Sequence, residues 1–269
     1  MSGRIALLTH GSRSAQALAH ALHRSGLDLA LILTEAEPVP PKAKGLGWLL
    51  RSTLGDPTVN RMNVWRSPRK LRVVLSVEKV LRESAELELE ASLQNMGIAH
   101  GWPQVVQREE VGSVNDHRAV ELVRAARPDL LAVFGTGVLR GDILGTTLQG
   151  AVNAHSSLLP NYRGSRAEFW QCYHDDRECI GITIHRIDRG VDTGDILFQA
   201  PTDSIWPTDP YSLRRLNTLS VIQHYPHVIQ EHLAGRIIPK PQGQGRTPTY
   251  RNRDVTIERR MALFGRFAL

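Results

Sequence analysis

The chain has 269 residues, of which 41% are hydrophobic and 22% charged, and its formal net charge is +6. This composition is typical of a soluble globular protein and excludes a collagen-like, a disordered or a coiled-coil chain. No apolar run reaches the ~18 residues that a membrane-spanning helix needs. At about 150 residues per domain, the length predicts one or two domains. The two cysteines, Cys172 and Cys179, are too few for a disulfide framework. The first apolar stretch is too short for a secretory signal, and together these features predict a cytoplasmic location.

The first 34 residues predict a strand, a helix and a second strand. Residues 4–9 form a short apolar run, and Ser12 or Ser14 in the following turn is a candidate helix cap. Residues 15–24 place their apolar side chains at helical spacing, and residues 29–34 are almost wholly apolar, as buried parallel strands are. The chain therefore begins as an α/β fold.

The stretch from Lys42 to Arg72 is strongly basic. It contains the basic residues Lys42, Lys44, Arg51, Arg61, Arg66, Arg69, Lys70 and Arg72 against one acid, Asp56. Such a stretch can attract a nucleotide, RNA or an acidic surface, and it is equally typical of a solvated loop or helix face.

The rest of the chain continues to alternate between strands and helices. The patterns predict helices over residues 77–95 and 116–127, the second capped by Asn115, and strands over 104–107, 130–134, 152–154 and 181–187. This alternation predicts a mostly parallel sheet flanked by helices. We expect a catalytic domain over residues 1–200 and a small C-terminal helical or irregular extension over 201–269, with a helix at 211–234.

Three polar residues point to acyl chemistry. Asn153 and His155 are two apart on a predicted strand, so their side chains lie on one face. At the carboxyl end of a parallel strand they would open into the crevice where ligands bind. An amide donor beside an imidazole suits a carbonyl that becomes an oxyanion, and Asp192, in a glycine-flanked turn, could hold that imidazole and carry protons. No Cys/His spacing indicates a metal site.

Residues 153–160, 162–164 and 191–195 together resemble the folate-dependent formyltransferase family, which includes glycinamide ribonucleotide transformylase, methionyl-tRNA formyltransferase and the sugar N-formyltransferases. The shared features are an Asn-x-His, a Ser-Leu-Leu-Pro loop and a glycine-flanked Asp, here 37 residues after His155. The resemblance implies a Rossmann-like domain and 10-formyltetrahydrofolate as co-substrate. It also implies that Asn153 bonds the formyl oxygen, that His155 beside Asp192 stabilises the oxyanion, and that Asp192 helps to move the proton. The general base stays open.

The same resemblance implies where the co-substrate binds. Main-chain groups of residues 134–140 would hold the pterin, and the loop 187–191 would line the opposite wall. The residues assigned to the co-substrate are Val138, Leu139, Arg140, Asp188, Gly190 and Val191. Three further histidines, His10, His174 and His185, lack a motif partner, and we do not expect them to be catalytic.

Members of this family differ in the amine that accepts the formyl group. The first turn has one glycine where glycinamide ribonucleotide transformylase has a glycine-rich phosphate loop, and residues 201–269 look too short for the C-terminal barrel of methionyl-tRNA formyltransferase. The run 162–170 looks most like the sugar or secondary-metabolite branch. We therefore expect a small-molecule amine, such as a nucleotide-linked amino sugar whose diphosphate meets the basic stretch, and neither nucleic acid nor membrane as a partner. A homodimer, a methionyl-tRNA acceptor, hydrolysis of the formyl-folate and a non-catalytic folate-binding module remain alternatives.

Overall fold

A computed structural model of the chain describes residues 3–36 and 68–268. Its strands are β1 (Arg4–His10), β2 (Asp28–Glu35), β3 (Arg108–Val111), β4 (Leu130–Phe134), β5 (Ala151–His155), β6 (Gly181–Arg186) and β7 (Ile196–Pro201). Its α-helices are α1 (Arg13–Arg24), α2 (Pro68–Asn95), α3 (His117–Ala126), α4 (Ala167–His174), α5 (Pro210–Leu233) and α6 (Ile257–Phe264). The strands form one sheet in the order β3-β2-β1-β4-β5-β6-β7.

The sheet is parallel from β3 to β5; β6 then pairs antiparallel with β5, and β7 pairs antiparallel with β6. The parallel strands at its centre are nearly continuous apolar runs because helices cover both faces. In β1, Ile5 and Leu7 pack toward α1 and α5, whereas Ala6 and Leu8 pack toward α3. The predicted mostly parallel α/β sheet is confirmed.

Some local predictions were wrong. Residues 104–107 form a turn closed by the Val106 N–H on the Pro103 carbonyl, and the strand follows at β3. The cap of α3 is Asp116, whose carboxylate accepts the Ala119 N–H at 2.7 Å. The Asn115 side chain instead contacts the loop after β4: its amide N–H donates to the Val138 carbonyl, and its amide oxygen accepts the Arg140 N–H.

Helix α5 belongs to the main core, so the packing does not break at residue 200. Val221 and Ile229 are buried in the same cluster as β1. The Tyr225 hydroxyl accepts the Val133 N–H at 2.9 Å and lies 2.7 Å from the Val152 carbonyl, linking the helix to β4 and β5. A boundary that assigns 201–269 to an appendage therefore divides one packed unit.

Most of the basic stretch, residues 42–67, lies outside the described residues. Among the helices that are described, none combines the length and apolar character needed to cross a bilayer.

Candidate active site

The strand β5 carries Asn153 and His155 to the carboxyl end of the parallel part of the sheet. Both side chains line one cavity of about 830 Å³. Their spacing of two residues places them on the same face, as the sequence predicts. Only 8% of the surface of His155 is exposed, so this residue contacts the protein and the cavity rather than bulk water.

Asp192 reaches the same cavity from the turn between β6 and β7. Its Oδ2 accepts the Gly164 N–H at 2.8 Å and lies 3.5 Å from His155 Nδ1. The turn can come this close because Gly194 has no side chain: a Cβ there would collide with the Arg186 carbonyl. The structure thus brings together the three residues that the sequence singled out.

His185, which we did not expect in the site, completes it. It faces Asn153 across the β5–β6 pair, and its Nε2 lies 3.5 Å from Asp192 Oδ1 and 3.2 Å from Asn153 Nδ2. Its Nδ1 lies 2.8 Å from the Arg186 carbonyl, which only accepts, so Nδ1 carries a proton. The prediction overlooked His185 because only the antiparallel register of β6 shows that it faces Asn153.

The two histidines define which protons the site can hold. His155 Nε2 lies 2.8 Å from the Tyr162 carbonyl and therefore donates to it. An additional proton on His155 Nδ1 would face Asp192. In the neutral form, His185 Nε2 accepts an N–H from Asn153, which leaves the second amide N–H of Asn153 for a ligand.

The carboxylate of Asp192 is held ionised. Burial raises its pKa, but the positive charge of the protonated imidazoles of His155 and His185, the hydrogen bond that protonated His185 donates, and the Gly164 N–H outweigh burial and hold the pKa well below its ordinary value. Asp192 is therefore a hydrogen-bond acceptor at neutral pH.

The cavity continues between the loop after β4 and the loop after β6. Of the residues assigned to the co-substrate, Val138, Leu139, Asp188, Gly190 and Val191 line it. Arg140 is not among the lining residues, and its N–H donates to Asn115 Oδ1 at 2.6 Å. The Asp188 carboxylate accepts the Gly190 N–H at 2.9 Å and so shapes its own loop.

Arginine side chains form a second part of the cavity wall. Arg166 and Arg214 both line it, beside Asn252. Arg214 Nε pairs with Glu168 Oε1 at 3.4 Å, whereas Arg166 Nε donates to the neutral amide oxygen of Asn252 at 3.4 Å. Burial in the wall, followed by the like charge of Arg214, lowers the pKa of Arg166.

Sequence comparison places the chain in a family. A profile described as Formyl transferase matches residues 4–218, and the chain belongs to that family. The resemblance stated from residues 153–195 is thereby confirmed.

Individual relatives refine the picture. The chain is 42% identical over 102 residues to the methionyl-tRNA formyltransferase of Anaeromyxobacter dehalogenans, a match that covers 38% of this chain and 31% of that protein. It is 34% identical over 143 residues to the methionyl-tRNA formyltransferase of Halorhodospira halophila, covering 51% and 43%. The chain thus spans less than half the length of the curated relatives that it matches.

Solved structures share the fold. Glycinamide ribonucleotide transformylase 1 from Symbiobacterium toebii superposes with a TM-score of 0.55 at 19% identity, covering 90% of this chain and 95% of that one. A 4-N formyltransferase from Francisella tularensis gives 0.54 at 12% identity, covering 91% and 76%. The predicted Rossmann-like formyltransferase fold is confirmed.

Proposed function

We propose that the protein transfers a formyl group from 10-formyltetrahydrofolate to a primary amine of a small molecule. The observation that carries this proposal is the position of Asp192 between two imidazoles, with Asn153 beside one of them, in the wall of one cavity. Formyl transfer needs groups that move a proton and a hydrogen-bond donor for the developing oxyanion, and this cavity wall holds both kinds of group together.

The cavity fits the proposed co-substrate in size and in the chemistry of its walls. Its volume of about 830 Å³ is within the range of small-molecule sites. Val133, Leu139 and Ile187 supply apolar surface, while Gly135 and Gly137 have no side chains, so a flat ring can approach the main chain there. When bound, 10-formyltetrahydrofolate supplies a formyl carbon attached to nitrogen.

The chemistry divides among three side chains. As the acceptor nitrogen bonds the formyl carbon, Asn153 donates its second amide N–H to the oxygen, and an imidazolium at His155 adds positive charge there. Asp192 stabilises that imidazolium. The proton released by the attacking amine is passed to the nitrogen of the departing folate as the old C–N bond breaks, and the Asp192–imidazole pair is the carrier within reach.

We further propose that the acceptor carries an anionic group, as a nucleotide-linked or phosphorylated amino sugar does. Of the two arginines that line the cavity, Arg214 is paired with the carboxylate of Glu168, whereas Arg166 hydrogen-bonds the neutral amide of Asn252. Its guanidinium can bind a phosphate or carboxylate through two N–H groups.

Formylation of methionyl-tRNA is a second candidate, favoured by the segments shared with the methionyl-tRNA formyltransferases named above. It requires the 3′ end of a tRNA to enter the same cavity. Comparable turnover with charged tRNA and no turnover with small amines would select it.

The test is release of tetrahydrofolate from 10-formyltetrahydrofolate with and without amines. Glucosamine 6-phosphate is paired with glucosamine, and ornithine with 1,4-diaminobutane, so that each pair differs by one anionic group. Amine-dependent release with the anionic members supports the proposal. Release independent of amine indicates a hydrolase, and tight folate binding without turnover on any amine or tRNA indicates a binding module.

The variant Arg166→Gln separates acceptor binding from donor binding. It should lower kcat/KM for the anionic amine by about tenfold, the size of one lost charge-assisted contact, and leave the KM for the folate unchanged. Arg253→Gln, at an exposed position in the same region, is the control. A raised folate KM in Arg166→Gln would assign this arginine to the donor's carboxylates instead.

A further inference from the structure

The segment from Lys240 to Tyr250, here called the C-terminal strap, lies beyond the residues matched by the family profile. Lys240 pairs with Ile196 of β7 through two main-chain hydrogen bonds of 2.8 and 2.9 Å. Tyr250 pairs with the loop after β5, because its N–H donates to Arg163 and its carbonyl accepts from Ser165, both at 2.9 Å. The strap therefore crosses from the edge of the sheet to the candidate site.

One side chain of the strap contacts both loops that meet at Asp192. Gln242 Nε2 donates to the main-chain carbonyls of Asp192, at 3.0 Å, and of Gly194, at 2.6 Å. Its Oε1 accepts from Arg163 Nη2 at 2.8 Å. Arg163 precedes Gly164, whose N–H bonds the Asp192 carboxylate, so Gln242 closes a ring of contacts around that bond.

We propose that Gln242 is a positioning residue that fixes the Asp192 turn against the Arg163–Gly164 loop. The proposal deepens the function proposed above and rests on it for its catalytic consequence, but the positioning itself is a statement about Asp192. The hydrogen bonds of Gln242 go to main-chain carbonyls and to Arg163, so it acts on the imidazoles only through Asp192, whose main chain it holds.

An amide is suited to this place because it offers two N–H donors and an acceptor on one planar group. A carboxylate could still accept from Arg163, but it would set its other oxygen against two carbonyl oxygens. An apolar side chain would leave both carbonyls and the guanidinium without this partner. Catalytic groups must be held within about 0.5 Å of their working geometry, so a loosened turn should affect the chemical step more than binding.

The close approach of the strap explains two glycines, Gly164 in the loop beside it and Gly245 in the strap itself. A Cβ on Gly164 would collide with the Tyr250 carbonyl, and one on Gly245 with the Pro160 carbonyl. Main chain packs against main chain at these two points after Gln242, and the Lys240–Ile196 pairing holds the strap before it, which limits how far the two loops can move apart while the Gln242 side chain is in place.

The experiment compares Gln242→Met and Gln242→Glu with Gln244→Met and Gln244→Glu. Gln244 is exposed on the same strap, so its variants make the same chemical changes away from the site. The readouts are the Tm, the kcat and KM of formyl transfer, and the titration of Asp192 followed by carbon-13 NMR of aspartate-labelled protein. The groups that face Asp192 are His155, His185 and the Gly164 N–H.

Both Gln242 variants should lower kcat by about tenfold or more with KM values within about threefold, since one misplaced group affects the transition state more than the bound ground state. In Gln242→Met the pKa of Asp192 should rise by about one unit as its contacts loosen. The Gln244 variants should match the wild type.

A fall in Tm for Gln242→Met with kcat and the Asp192 titration unchanged would overturn the proposal and leave a structural role. If Gln242→Met does not fold, Gln242→Glu, which keeps the contact with Arg163, decides by the same kcat criterion against Gln244→Glu. The Asp192 titration needs no turnover, so an unchanged pKa refutes the positioning even if the protein transfers no formyl group. A raised pKa in a protein without formyl transfer refutes only the proposed function.

Discussion

His155 donates its Nε2–H to the main-chain carbonyl of Tyr162, seven residues further along the chain, at 2.8 Å. Tyr162 is itself held on several sides: its N–H donates to Thr247 at 2.7 Å, its hydroxyl to Asp176 at 2.9 Å, and its ring stacks on Tyr250. The imidazole is therefore oriented by a fixed peptide group, and its remaining nitrogen, Nδ1, is directed toward Asp192.

Replacing His155 by alanine should remove the chemical step while sparing folate binding. We expect kcat to fall by a factor on the order of 100 or more, the scale of a lost proton-transfer group or oxyanion donor. Single-turnover kinetics and a folate-binding titration measure the two effects. Activity near the wild-type value would remove His155 from the mechanism.

Replacing His185 by phenylalanine should also lower kcat, by about 10- to 100-fold, because Asn153 and Asp192 both lose their contact with Nε2. The control is His224→Phe, which changes an imidazole that packs on Phe198, away from the cavity. Equal effects of the two substitutions on kcat would show that His185 contributes packing and not site geometry.

The sequence predicts those parts of the site that are encoded locally. Asn153 and His155 share a strand, and Asp192 is marked by its glycines, so a short pattern identifies all three. His185 and Gln242 could not be predicted, since they reach the site through strand register and through a strap about 50 residues after Asp192.

The same limit applies to the fold. The apolar runs of β1, β2 and β4 predict buried parallel strands, because a strand covered by helices on both faces needs apolar side chains on both sides. The antiparallel β6 and β7 depend on which edge the chain returns to, and the burial of α5 depends on contacts with β4 and β5. No local sequence pattern encodes the antiparallel pairing or the burial of α5. The sequence therefore predicts residues 201–269 as an appendage.

Replacing Tyr225 by phenylalanine should destabilise the fold by about 1–3 kcal/mol, the cost of leaving a buried hydrogen-bonding group without a partner. Its hydroxyl accepts the Val133 N–H and reaches the Val152 carbonyl in a fully buried position between the helix and the sheet. Urea unfolding measures the change. The partly buried Tyr173 packs in another cluster, away from the sheet, and an equal loss in Tyr173→Phe would contradict this account.

Replacing Gly164 by alanine should damage both stability and activity. Its φ of +89° is strained for any residue with a Cβ, and that Cβ would meet the Tyr250 carbonyl. Moving the loop also displaces the N–H that bonds Asp192. We expect a loss of about 1–3 kcal/mol and a fall in kcat, whereas Gly243→Ala, with no atom near its added Cβ, should change neither. Unchanged unfolding of Gly164→Ala would mean that the loop and the strap can separate at little cost.

The low pKa of Asp192 should appear in the pH dependence of stability. Its pKa in the folded state is below that in the unfolded chain, so the ionised carboxylate stabilises the fold above about pH 4, and this contribution is lost as the pH falls through the folded-state pKa. The stability difference between the wild type and Asp192→Asn should therefore shrink below about pH 4, by at most ~1.4 kcal/mol per pH unit.

Urea unfolding of both proteins over a series of pH values measures this difference, with Asp203→Asn, at an exposed carboxylate, as the control. The opposite slope, with the difference growing as the pH falls, would mean that burial rather than the two imidazoles dominates the ionisation of Asp192. The carboxylate would then be protonated more readily in the folded protein than in the unfolded chain, and it could not serve as the partner of an imidazolium.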